Sequence, residues 1–126
     1  MYRETVLLIE DDLDARDANT AVLEHLGYRV LTAATGEEAL EQWRNHEAEI
    51  QVVLSDLVTP GSRGEAAFSL LRVHGARVPI VVLSGYAVPM GRRFTEADGV
   101  VAWLQKPIGI DELDAALRRA LDRGTA

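Results

Sequence analysis

The sequence contains no cysteine, which excludes disulfides, thiol catalysis and thiolate-bound zinc, and permits a reducing compartment. Positive charge is in deficit too. Thirteen Lys and Arg face 20 Asp and Glu, leaving a formal net charge of -7, the wrong sign for reading a phosphate backbone or coating an anionic membrane. No nucleic-acid or membrane partner is therefore expected. No apolar run approaches the length of a bilayer span, and the N-terminus lacks the basic-then-apolar layout of a signal peptide, so a cytoplasmic protein is expected. Internal repeats, low-complexity segments and linkers are missing as well. What is present, 126 residues of which 48% are apolar and 26% charged, suits a single domain over residues 1–126.

Apolar runs of strand length alternate with longer amphipathic stretches, the signature of a parallel α/β sheet. Five runs predict strands: Thr5 to Ile9, Tyr28 to Ala33, Ile50 to Ser55, Pro79 to Ser84 and Val100 to Leu104. The first, third and fourth are almost continuously apolar, which places them in the middle of the sheet, covered on both faces. Between them, Ala15, Ala18, Val22 and Leu26 recur at helical spacing and stop at Gly27. Thr35 followed by Glu38 forms a capping box ahead of Ala39, Leu40 and Trp43. A third helix is predicted from Gly64 to His74, and a last one carries Ile110, Leu113, Leu117 and Leu121 on one face. Pro89 and Gly91 interrupt the fourth helical stretch, between Gly85 and Gly99.

In an open parallel sheet, ligands bind beyond the carboxyl ends of the strands. Those ends carry an unusual set here. Glu10, Asp11 and Asp12 follow the first run, Asp56 the third, Ser84 closes the fourth, and Lys106 and Pro107 follow the fifth. With strand order 2-1-3-4-5, Glu10, Asp11 and Asp56 converge in one cleft, where mutual repulsion calls for a cation. Carboxylate, carbonyl and water oxygens suit Mg²⁺ or Mn²⁺. Lys106 adds a point positive charge and Ser84 a hydroxyl donor, completing a site for covalent capture of a phosphoryl group on aspartate. Taken singly, each piece is ordinary: an acidic first helical turn, a turn before Pro60 and Gly61, a loop lysine, a serine at a strand end. Their coincidence at one cleft favours the site.

The stretches VLLIEDD (6–12), VVLSD with Pro60 and Gly64 following, VVLSG (81–85) and LQKP (104–107) resemble the receiver domains of two-component response regulators. The likeness covers residues 4–122. It implies one flavodoxin-like, doubly wound domain with a five-stranded parallel sheet, order 2-1-3-4-5, and five flanking helices. It further implies that Asp56 is the phosphoacceptor and that Asp11 ligates Mg²⁺ directly, Glu10 mainly through water. The Val58 carbonyl would complete the protein ligands, and Lys106 would pair with the phosphoryl group. Ser84 would move toward that group and couple it to the surface around the fifth strand, where Trp103 stands in place of a switching Tyr or Phe. The phosphoryl donor would be a phosphohistidine on a sensor histidine kinase or histidine phosphotransfer protein, or a small acyl phosphate. Such a domain is a switch that catalyses only its own phosphorylation and dephosphorylation, and acts on a downstream protein partner.

The chain departs from the pattern at Trp103, larger than the usual ring, at Thr59, and at Val58 and Tyr86, where relatives often carry polar side chains that position hydrolytic water. Slow autodephosphorylation is expected. The sequence after residue 122 offers no DNA-binding output, and VLSGYA resembles receivers of hybrid sensor kinases, so either a stand-alone regulator or a receiver from such a kinase fits. A phosphorylation-independent interaction module would not need Glu10, Asp11, Asp56, Ser84 and Lys106 together. A flavodoxin-like cofactor carrier would need a Gly- and Ser-rich loop where Glu10, Asp11 and Asp12 stand. His25, His46 and His74 lack metal-ligand spacing, and Arg92 with Arg93 reads as solvated.

Overall fold

The structure, a computed structural model, describes residues 3–57, 70–73, 77–85 and 99–124. Its strands are β1 (Thr5–Ile9), β2 (Arg29–Ala33), β3 (Ile50–Leu57), β4 (Ile80–Ser84) and β5 (Val100–Gln105). Among the described residues the helices are α1 (Leu13–His25), α2 (Gly36–His46) and α3 (Ile110–Gly124), with a helical turn at 70–73. All strand pairs are parallel, in the order β2-β1-β3-β4-β5. The most continuously apolar runs do lie in the middle: every residue of β1 and β4 is buried, as is β3 from Val52 to Asp56. The helix expected over 64–74 enters the described residues only at 70–73, and the interrupted stretch lies outside them over 86–98, with Tyr86, Arg92 and Arg93.

Strand alternation sorts the core into two layers. Leu7, Ile9, Val53, Ile80 and Val82 pack with Ala39 and Leu40 of α2 and with Leu71. Val6, Leu8, Val52, Leu54, Val81 and Leu83 pack with Leu23 of α1 and with Leu113, Ala116 and Leu117 of α3. Each fully buried Leu, Ile or Val contributes on the order of 1.5–3 kcal/mol. Trp43 and Trp103 are half-buried against the α2 layer. Among the described residues no helix is long and apolar enough to cross a membrane.

Local signals set the helix ends. The Thr35 hydroxyl accepts from Glu38 N at 3.1 Å, and the Glu38 carboxylate accepts in return from Ala34 N at 2.8 Å, a capping box shifted by one residue. Asp12 caps α1, its carboxylate accepting from Ala15 N at 2.8 Å. Of the expected α1 stripe, Val22 and Leu26 pack partly buried against the core and Ala15 is half-buried, but Ala18 is exposed, and Leu23, outside that stripe, is fully buried. Burying a leucine removes far more apolar surface from water than burying an alanine, and α1 is rotated accordingly. In α3, Leu113, Leu117 and Leu121 are buried as expected, whereas Ile110 is 46% exposed.

The chain start is clamped to two elements. Arg3 donates to Leu26 O at 3.0 Å and to Asp114 Oδ1 at 3.1 Å, and its guanidinium lies 4.4 Å over the Tyr28 ring. The buried Tyr28 hydroxyl donates to the same Asp114 oxygen at 2.9 Å. Gly27 turns the chain from α1 into β2 with φ +97°, a conformation that L side chains rarely adopt, and a Cβ there would sit 3.1 Å from Arg3 Cδ. Gly27→Ala is accordingly expected to cost about 1–2 kcal/mol of stability in urea unfolding, with the unfolding slope unchanged.

Candidate functional site

Register determines which side chains meet. Ile9 is level with Ser55, so the residues that follow them, Glu10 and Asp56, lie side by side at the ends of β1 and β3. β3 runs two residues past its expected end, so Asp56 belongs to the strand and its backbone is held by the ladder. Strand parity groups Asp56 with Val52 and Leu54, on the layer that α1 and α3 cover. On its other side, Asp56 is level with Leu83, Leu57 with Ser84, and Ser84 with Gln105. Lys106 comes next, its backbone N–H donating to Ser84 O at 2.7 Å, and the Lys106–Pro107 peptide is cis.

The Asp56 side chain is only 2% exposed. A buried carboxylate is costly unless it is paired and hydrogen-bonded, and this one has an ion-pair partner at Oδ1, which makes no hydrogen bond, and a hydrogen-bond donor at Oδ2. Lys106 Nζ forms an ion pair with Oδ1, and Asn19 Nδ2 donates to Oδ2 at 2.7 Å. The Lys106 side chain is 39% exposed and links the buried carboxylate to solvent.

Glu10 is the strained member of the site. Its Oε1 accepts from Asp12 N at 3.3 Å, while its buried Oε2 has no hydrogen-bond partner. Burial first, and then the neighbouring charge of Asp56, push its pKa from 4.5 up to about 7. Asp11 is exposed and adds a smaller repulsion, and the Lys106 ammonium pulls the other way. Asp12 is drawn off as the cap of α1. Arg16 holds the strand end from outside, donating to Glu10 O at 3.2 Å.

An all-oxygen donor set with a buried, unpartnered carboxylate oxygen suits a hard divalent cation. Among the described residues, no three His, Asp or Glu side chains stand close enough to hold a metal ion as they are. Asp56 has a partner near each oxygen, and Asp11 is exposed. Val58 and Tyr86 lie outside the described residues. Ser84 is buried at the end of β4, and Trp103 sits on β5 three residues before Lys106. His25 is exposed, His46 stands 3.7 Å from Glu49 and His74 lies outside the described residues.

Asn19 is the residue that the sequence reading passes over. Its signal is there in hindsight: it lies four residues after Ala15 and four before Leu23, a polar side chain within the stripe that α1 turns toward the sheet.

Because Glu10 has a folded-state pKa above its unfolded value, the folded chain keeps a proton that the unfolded chain has lost between pH 4.5 and about 7. Stability therefore falls as pH rises through that window. Glu10→Gln is expected to flatten this part of the profile, read as the difference in urea midpoint between pH 5 and pH 8 in metal-free buffer.

The model of the response regulator receiver domain family matches residues 6–118. The sensor kinase CckA of Brucella abortus is 33% identical over 119 residues, which are 94% of this chain and 13% of that protein. The tetrathionate response regulatory protein TtrR of Salmonella typhimurium is 36% identical over 123 residues, 97% of this chain and 58% of that protein. The chain thus spans only part of either relative. A receiver domain protein from Clostridium thermocellum superposes with a TM-score of 0.83 and 23% identity, covering 98% of each chain. The chain belongs to the response regulator receiver domain family, the phosphorylation-switch domains of two-component signalling, in which Mg²⁺ binding at the phosphorylation site is general.

Proposed function

We propose that this chain is a phosphorylatable switch with Asp56 as phosphoacceptor and a divalent cation, Mg²⁺ or Mn²⁺, held by Glu10, Asp11, Asp56 and the Val58 carbonyl. The observation that carries the reading is the buried Asp56 carboxylate with its Oδ1 against the Lys106 ammonium. The donor is a phosphohistidine of a sensor histidine kinase or histidine phosphotransfer protein, or a small acyl phosphate. An Asp56 oxygen attacks phosphorus as the P–N bond breaks. The electron pair passes to the imidazole nitrogen, and an acyl phosphate forms on Asp56. The cation, when bound, offsets negative charge on the transferring oxygens. Lys106 pairs with the same oxygens, and its half-exposed stem lets it follow them without leaving the site.

Ser84 and Trp103 carry the change outward. Ser84 sits one residue level beyond Asp56 on the neighbouring strand, and its carbonyl holds the backbone of Lys106, so a shift toward the phosphoryl group moves both. Trp103 moves with that strand end and presents a changed face to a downstream protein, a reading supported by its half-burial on β5. The charge of -7 supports a protein partner over nucleic acid or an anionic membrane. Both a stand-alone regulator and a receiver within a hybrid kinase accommodate this chemistry.

Incubation with Mg²⁺ and acetyl phosphate, read by intact mass, is expected to add one phosphoryl group to the native chain and none to Asp56→Asn. Chelation of the metal is expected to slow the addition sharply. An equal adduct on Asp56→Asn, or none on the native chain, contradicts the proposal.

A further inference from the structure

We infer that Asn19 is a positioning residue that acts as a neutral stand-in for the cation, donating to the Asp56 oxygen that a divalent ion must take. The inference deepens the proposed function and rests on its reading of Asp56 as a cation ligand. Lys106 Nζ already pairs with Oδ1, and an ammonium repels a divalent ion arriving at the same oxygen. Oδ2 is the oxygen left for coordination. It is held by Asn19 Nδ2 at 2.7 Å.

The arrangement follows from the fold. With its side chain 2% exposed, Asp56 has no solvent to satisfy Oδ2, so a protein donor is needed whenever the ion is away. Asn19, half-buried on the face of α1 that is turned toward the sheet, supplies it, anchored four residues further on by the fully buried Leu23. An amide is the suitable chemistry, because a lysine or arginine there would add a fixed positive charge that a cation cannot displace, whereas an amide can turn away. Cation binding must therefore break one charge-assisted hydrogen bond, and the affinity of the site is set lower than its carboxylates alone would give.

Mg²⁺ titrated by calorimetry into the native chain, Asn19→Ala and Asn19→Leu tests this. Both variants lack the donor, one leaving space and the other filling it, and each is expected to bind Mg²⁺ roughly tenfold more tightly than the native chain. A merely structural asparagine would lower the thermal midpoint of the variants and leave Mg²⁺ affinity unchanged. Native-like or weaker affinity in both variants, with the native chain binding Mg²⁺, overturns the role of Asn19 and leaves the proposed site intact. A native chain that binds no Mg²⁺ overturns the cation reading itself, and the role of Asn19 with it.

Discussion

A single carboxylate, almost wholly removed from water at the end of β3, is the constraint around which this molecule is arranged. Asp56 occupies a position that, two and four residues earlier, holds Leu54 and Val52, both fully buried in the α1 and α3 layer. Leaving a charge there unpaired would cost several kcal/mol, comparable to much of a small domain's net stability. The topology supplies the remedy. β5 ends close enough for Lys106 to reach across from beyond its last residue, and α1 runs close enough for Asn19 to donate from the other side.

The remedy is incomplete by one group. Glu10, brought level with Asp56 by the pairing of β1 and β3, is buried with one oxygen unpartnered and with its proton held well above the usual carboxylate range. Sequences that fold well ordinarily avoid such a conflict, and where it persists it marks a place kept for something other than stability. Two carboxylates, a lysine and an amide therefore meet on strand ends and one helix face, an arrangement whose unrelieved charge is what the proposed cation and phosphoryl group would answer.

The strands and which of them lie at the centre of the sheet were legible from the residues themselves, because burial on both faces leaves an unbroken apolar run, as in LLI of β1 and IVVL of β4, whereas the full strand order came with the resemblance to receiver domains. Helix ends were legible where a side chain caps the backbone, at Thr35, or where a left-handed turn is needed, at Gly27. The rotation of α1 was not, because Ala18 and Leu23 both fit an apolar face and only packing against the sheet decides between them. Asn19 escaped for a related reason. A lone polar residue between apolar neighbours carries no motif, and its meaning comes from the carboxylate 37 residues away that it contacts. The convergence of Glu10, Asp56 and Lys106 was readable, since strand ends in a known order fix their neighbours. The separation of Asp12 from Asp11 by a helix cap, and the solvent exposure of Asp11, needed coordinates.

The central claim is that the phosphoryl group lands on Asp56 and on no other carboxylate. Borohydride converts an acyl phosphate to the corresponding alcohol, so reduction after treatment with Mg²⁺ and acetyl phosphate marks the modified aspartate permanently as homoserine. Peptide mass spectrometry is predicted to find homoserine at position 56. Homoserine at position 11 or 12, or a reduced glutamate at position 10, with position 56 unmodified, would contradict the account.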